Sequence, residues 1–250
     1  MGLLPFGLLL NTGLQINMDI RNILKRISSH SLAKNSAIVM VGSMGANVGS
    51  YLYHLVMGRL LGPIAYGELS SLLSIFYIFS VPLNVGAIVL VKFISSMKAR
   101  DDLGQVRTLF LKVTKASVIG SIIGLPLMYV LAPFISGFLR IQSNFLFLLV
   151  YVTFAFSLLT VIASSALQGY QKFLWVSIFG AGTILFKLAI SIPAVQWGVY
   201  GVLLAIVITG VVMYALYLIP LRFMFLVKAK KLTLTTREAF TYAIPSLCII

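Results

Sequence analysis

Six apolar runs of about 20 residues or more recur along this chain, near residues 36–57, 69–91, 111–135, 144–167, 175–197 and 200–221, with short polar stretches between them. A run of that length matches the hydrocarbon thickness of a bilayer, where only a helix can satisfy every backbone N–H and C=O from within one segment. Hydrophobic residues make up 60% of the sequence and charged residues only 10%, with a mean hydropathy of +1.06. A soluble domain carries about 25% charged residues. The sequence therefore predicts an all-α fold, a polytopic membrane helical bundle.

The formal net charge of +14 could point to a nucleic-acid partner, but its placement argues for topology instead. With the N-terminus inside, the inner segments hold sixteen of the nineteen basic residues: Arg21, Lys25, Arg26 and Lys34, then the six from Lys92 to Lys115, then Lys172, then the five from Arg222 to Arg237. Arg59 and Arg140 fall outside, and Lys187 falls within the membrane. This is the positive-inside pattern, so no nucleic acid is implied. The expected location is the cell membrane, multi-pass, with a cytoplasmic N-terminus.

Both ends of the chain are informative. Residues 1–35 read as a tail in which Ile20, Ile23, Leu24 and Ile27 share one helical face opposite Arg21, Lys25 and Arg26, an interfacial amphipathic helix on the cytoplasmic leaflet. Met18 is a plausible alternative start. Residues 36–222 form the six-helix unit and 223–241 a basic cytoplasmic loop. Residues 242–250 begin a further apolar run that is too short to cross, so the sequence reads as cut inside a seventh helix. Cys248 is the single cysteine, which excludes a disulfide framework.

Lys187 lies inside the run 175–197, some 15 to 18 Å from either end at about 1.5 Å per residue. A central lysine costs about 2.5–3.5 kcal/mol on insertion scales and cannot snorkel that far, which points to an enclosed water-filled path, the alternative being a lysine neutralised or paired with helix carbonyls. Other polar residues recur at helical spacing. Ser43, Asn47, Ser50, Tyr51 and His54 follow the first helix beside Gly42, Gly45 and Gly49. Tyr77, Ser80 and Asn84 follow the second, around Pro82. Thr153, Ser157, Thr160 and Ser164 follow the fourth, and Thr183, Lys187 and Ser191 the fifth. Small residues also serve close helix packing, and hydroxyls can bond their own helix carbonyls. Read together, the stripes predict a central hydrated cleft with candidate substrate-binding residues Lys187, Asn47, His54, Asn84, Tyr51 and Arg59.

All five acids lie in expected loops or at helix ends, which leaves no membrane carboxylate to couple a proton or sodium. No phosphate-binding loop is present. Asp101 and Asp102 sit among cations and read as a helix boundary. No catalytic residue, metal site or cofactor is expected.

Three segments carry a family resemblance. The stretch GRLLGPIAYGELS at residues 58–70 resembles the segment after the first helix of polysaccharide biosynthesis flippases, within the multidrug/oligosaccharidyl-lipid/polysaccharide exporter superfamily. ALQGYQKF at 166–173 and WGVYGVLLA at 197–205 resemble that family's turns between helices four and five and between five and six. Gly62, Pro63 and Gly67 suit a tight reversal, and Gly198 and Gly201 a short turn. The resemblance covers roughly residues 18–250.

It implies one six-helix lobe of a two-lobe transporter, plus the start of the seventh helix. The implied function is alternating-access flipping of a lipid-linked oligosaccharide or polysaccharide precursor, with glycosyltransferases or a polymerase of the same pathway as candidate partners. Superfamily flippases tend to carry several cavity cations, whereas this lobe has Lys187 alone, with Arg59 and Lys92 at the rims. A drug or metabolite antiporter of the same superfamily and a non-transporting membrane scaffold are the alternatives.

Overall fold

The structure is a computed structural model and describes residues 30–139, 144–227 and 230. The proposed amphipathic helix near residues 18–27 and the start of a seventh helix at 242–250 lie outside the described residues, as does most of the 223–241 loop.

The described chain is helical and has no strand. Helix α1 runs His30–Ala99, α2 Leu103–Leu139, α3 Asn144–Gly169 and α4 Phe173–Ala194. A 3-10 turn, Val195–Trp197, leads into α5, Gly198–Leu218, and a second such turn, Ile219–Leu221, into the short α6, Arg222–Leu226. Four segments, Ala37–Ala99, Leu103–Gly137, Phe145–Gly169 and Phe173–Leu226, are helical, long and apolar enough to cross a membrane.

Two of these segments fold back on themselves. Within α1 the backbone breaks at Gly62 (φ 75, ψ 172). The Tyr77 hydroxyl lies 3.5 Å from His54 Nε2, although 23 residues of straight helix would set them about 35 Å apart. The two arms of α1 are therefore an antiparallel hairpin. Likewise Phe179 and Tyr217, on α4 and α5, stack edge-to-face at 5.0 Å around the turn at Gly198 (φ 62, ψ −146). The sequence suggested an eleven-residue outer loop at 58–68, but those residues stay helical apart from Gly62. Pro63 explains this economy, because its fixed φ suits the first turn of the second arm and its missing N–H is no loss there.

The conformation at Gly62 is one that only glycine populates readily, and a side chain there costs of order 1–3 kcal/mol. Gly62→Ala is therefore expected to destabilise the protein by about 1–3 kcal/mol even though nothing lies within 4 Å of the added methyl. Chemical or thermal unfolding in detergent would measure it, and an unchanged midpoint would refute the strain argument.

Packing puts the first arm of α1 against α4. Cβ atoms built on Gly42 and Gly49 would come within 2.7 Å of Ser177 and 2.8 Å of Ile184, so both glycines serve close approach, while Gly45 faces open space. Buried side chains gather in two clusters. One holds Tyr53, Met57, Leu69, Leu72, Phe147 and Leu203 near the Gly62 and Gly198 reversals. The other holds Ile94, Phe110, Ala163, Leu167, Phe179 and Tyr217 toward the opposite end.

At that opposite end the basic residues also fasten the turns. Lys98 Nζ donates to the Tyr170 carbonyl at 2.8 Å, and Lys172 Nζ to that of Pro220 at 3.0 Å. Lys172 also lies over the Phe223 ring, 4.1 Å from its centroid. Burial, with the nearby Lys98 charge, pushes the Lys172 ammonium below its usual pKa. Lys230 pairs with Asp102 at 3.0 Å and holds that carboxyl below its ordinary range. Asp102 also accepts from the Gln105 side chain, so it acts as a turn anchor.

Candidate functional site

Between the two apolar clusters lies a cavity of about 360 Å³. Its walls come from both arms of α1 and from α3, α4 and α5, through residues midway along each: Ser50, Tyr77, Ser157, Thr160, Thr183 and Lys187 among them. The clusters above and below place it at mid-depth in the bundle. Three of the polar stripes read from the sequence thus meet there, on the second arm of α1, on α3 and on α4. The first arm contributes Ser50.

Lys187 is partly buried, and its Nζ sits 3.8 Å from the centroid of the Tyr53 ring. Tyr53 itself is fully buried. A cation over an aromatic face gains about 0.5–2 kcal/mol, more as water is excluded, so the ring offsets part of the cost of holding an ammonium here. Lys187 also lies closer to one end than the sequence suggested. Helix α4 ends at Ala194 rather than at Trp197, so the lysine stands about 10 Å from that end and about 21 Å from Phe173 at 1.5 Å per residue. The difference is the 3-10 turn at 195–197, which is apolar enough to extend the run without extending the helix.

The threonine hydroxyls around the lysine are partly committed. Those of Thr153, Thr160, Thr183 and Thr209 each donate to the carbonyl four residues earlier, at 2.6 to 2.9 Å. With their protons engaged they present lone pairs to the cavity, which leaves the Lys187 ammonium as its cationic donor among the described residues.

The remaining candidates divide. His54 stands behind the cavity wall, with Nδ1 3.1 Å from the Tyr66 hydroxyl and Nε2 3.5 Å from that of Tyr77. It bridges the two arms of α1 and holds Tyr77, which lines the cavity, in place. Asn47, Tyr51, Asn84 and Arg59 are exposed and contribute nothing to the cavity wall. Helical spacing explains the difference. At about 100° per residue, Asn47 points roughly 120° away from the buried Tyr53, and Tyr51 roughly 120° away from the buried Met57.

Two groups escaped the sequence reading. Tyr53 stands beside His54 but outside the stripe read from the sequence, and Thr209 lies in a run whose other hydroxyl-bearing side chains are tyrosines. Ser191 Oγ lies 3.5 Å from the Tyr53 hydroxyl, so the Ser191 expected at the site acts through Tyr53.

Comparison of the chain with protein-family models, with curated proteins and with solved structures returns no match.

Proposed function

We propose that this protein is a membrane transporter that flips an amphiphile with an anionic, phosphate-bearing headgroup, with a lipid-linked oligosaccharide or polysaccharide precursor as the substrate class. The observation that carries the reading is a mid-depth cavity of about 360 Å³ with hydroxyl-bearing walls and, among the described residues, Lys187 as its cation. A headgroup crossing the bilayer needs polar surface at the depth where lipid offers none, and a phosphate needs a positive charge there.

In this reading each arm of the two hairpins is a separate span. The reversals at Gly62 and Gly198 then turn four apolar segments into six crossings, one lobe of a two-lobe transporter with its N-terminus inside. The Lys98, Lys172 and Lys230 end faces the cytoplasm, in keeping with the positive-inside pattern.

A non-transporting scaffold is favoured by one feature, the threonine hydroxyls bonded to their own carbonyls, which is how such groups behave when they only pack. Transport separates the two. Full-length protein in phospholipid vesicles should move a fluorescent polyprenyl-phosphate sugar from the inner leaflet to the outer, where an impermeant quencher reaches it. It should move a neutral-headgroup analogue far more slowly. Equal quenching in protein-free vesicles would overturn the proposal.

A further inference from the structure

A seam between the second arm of α1, helix α2 and helix α3 contains two grooves that lie end to end. One, of about 250 Å³, is lined by Phe76, Phe79, Leu127, Leu131, Tyr151 and Phe154 among others, and its lining exposes no polar surface. The other, also about 250 Å³, continues along the same three helices past Gly86, Leu90, Phe93, Leu109 and Val113. From Ile75 to Phe93 the pair follows the helix for about 27 Å, close to the roughly 30 Å hydrocarbon thickness of a bilayer.

The polar groups along the seam are few. The Tyr151 hydroxyl donates to the Ser121 carbonyl at 2.7 Å, which leaves its ring as an apolar wall. Ser117 and Ser165 are the polar side chains of the second groove, and the buried Ser165 hydroxyl has no hydrogen-bond partner among the described residues.

Phe76 lines both the first groove and the Lys187 cavity. It pairs edge-to-face with Phe154 at 6.4 Å, and Phe154 with Phe79 at 5.9 Å, so an aromatic partition stands between the two spaces. Phe79 and Leu127 are more than half exposed on the outward side of the groove.

We propose that this seam seats one hydrocarbon chain of a membrane lipid, and that it is the tail site for the amphiphile whose headgroup Lys187 holds. The assignment to that amphiphile rests on the functional reading above. The occupant follows from the surroundings: the grooves are apolar, run the height of the bilayer and open on a face whose solvent is lipid chains. A tail held beside the cavity lets the headgroup enter polar surroundings while the chain stays in hydrocarbon.

Photolabelling tests it. Full-length protein in phosphatidylcholine vesicles with a trace of phosphatidylglycerol carrying an acyl-chain diazirine should be labelled on residues 76–93 and 109–131 above the level at Ile64, Leu185 and Ile192. Those three are exposed apolar residues outside the seam. A Cβ at Gly86 meets nothing within 4 Å, so Gly86→Leu should place its side chain in the second groove and abolish labelling there while the protein stays folded. Labelling no higher in the seam than at the three reference residues, or unchanged in Gly86→Leu, would overturn the tail site. Lys187→Met reads the headgroup assignment separately. Loss of the seam preference supports the link, whereas preference retained in that variant would overturn the link and leave the tail site standing.

Discussion

Replacing Lys187 with methionine is expected to abolish most transport while leaving the protein at least as stable as before. A charge-assisted contact to a phosphate inside a partly desolvated cavity is worth about 2 kcal/mol, which corresponds to roughly a thirtyfold loss in apparent affinity. Methionine matches the lysine stem in length and can lie on the Tyr53 ring without an ammonium to solvate. Exchanging a buried charge for a well-packed apolar side chain is commonly neutral or stabilising, so function and stability should move in opposite directions. Lys187→Arg should keep substantial activity, because charge is retained over the same ring. A methionine variant that transports normally would reduce Lys187 to a tolerated structural residue.

The second large effect is expected at Gly201. A Cβ there would collide with the Ala194 carbonyl oxygen and press on the Trp197 side chain. The oxygen belongs to the end of α4 and cannot swing aside as a side chain would. Gly201→Ala should therefore prise apart the hairpin of α4 and α5, whose Leu188, Val199 and Val202 belong to one apolar cluster. The cost should be about 3 kcal/mol, at the upper end for overpacking. Gly45→Ala is the matched control, since it faces open space and should be neutral or gain about 0.5–1 kcal/mol from helix propensity. Equal unfolding midpoints for the two variants would contradict this account of the turn.

Much of this arrangement is legible in the sequence, for identifiable reasons. Apolar runs mark the membrane-crossing helices because the bilayer fixes their length, and Gly62-Pro63 marks a reversal because few other dipeptides make one so short. The helical state of residues 58–68 was not legible. The cluster of Gly58, Gly62, Pro63 and Gly67 reads as loop, yet only Gly62 leaves the helical conformation.

The cavity was half legible. Spacing shows that Thr153, Ser157 and Thr160 share a face and that Thr183 and Lys187 share another, and both faces turn inward. The same spacing put Asn47, Tyr51 and His54 on one stripe without saying which edge of it meets the bundle. In a soluble helix the apolar side would answer that. In a membrane helix both the lipid side and the core side are apolar, so the pattern loses its direction. Arg59 and Asn84 are exposed and line no part of this cavity, and Tyr53, beside His54, is not singled out by the spacing of the polar residues.

If water and an anionic headgroup reach the Lys187 cavity, a thiol on its wall is open to polar reagents. Cys248 and any cysteine of the full-length protein outside these 250 residues are first replaced by alanine. In that background, Thr183→Cys places a thiol on the cavity wall, while Leu185→Cys places one on the exposed apolar side of the same helix. With full-length protein in vesicles, a membrane-impermeant sulfonate thiosulfonate should modify Thr183→Cys, fail to modify Leu185→Cys, and be slowed at residue 183 by a polyprenyl-phosphate sugar. A Thr183→Cys thiol as inert as that of Leu185→Cys would mean a dry cavity and would contradict the account.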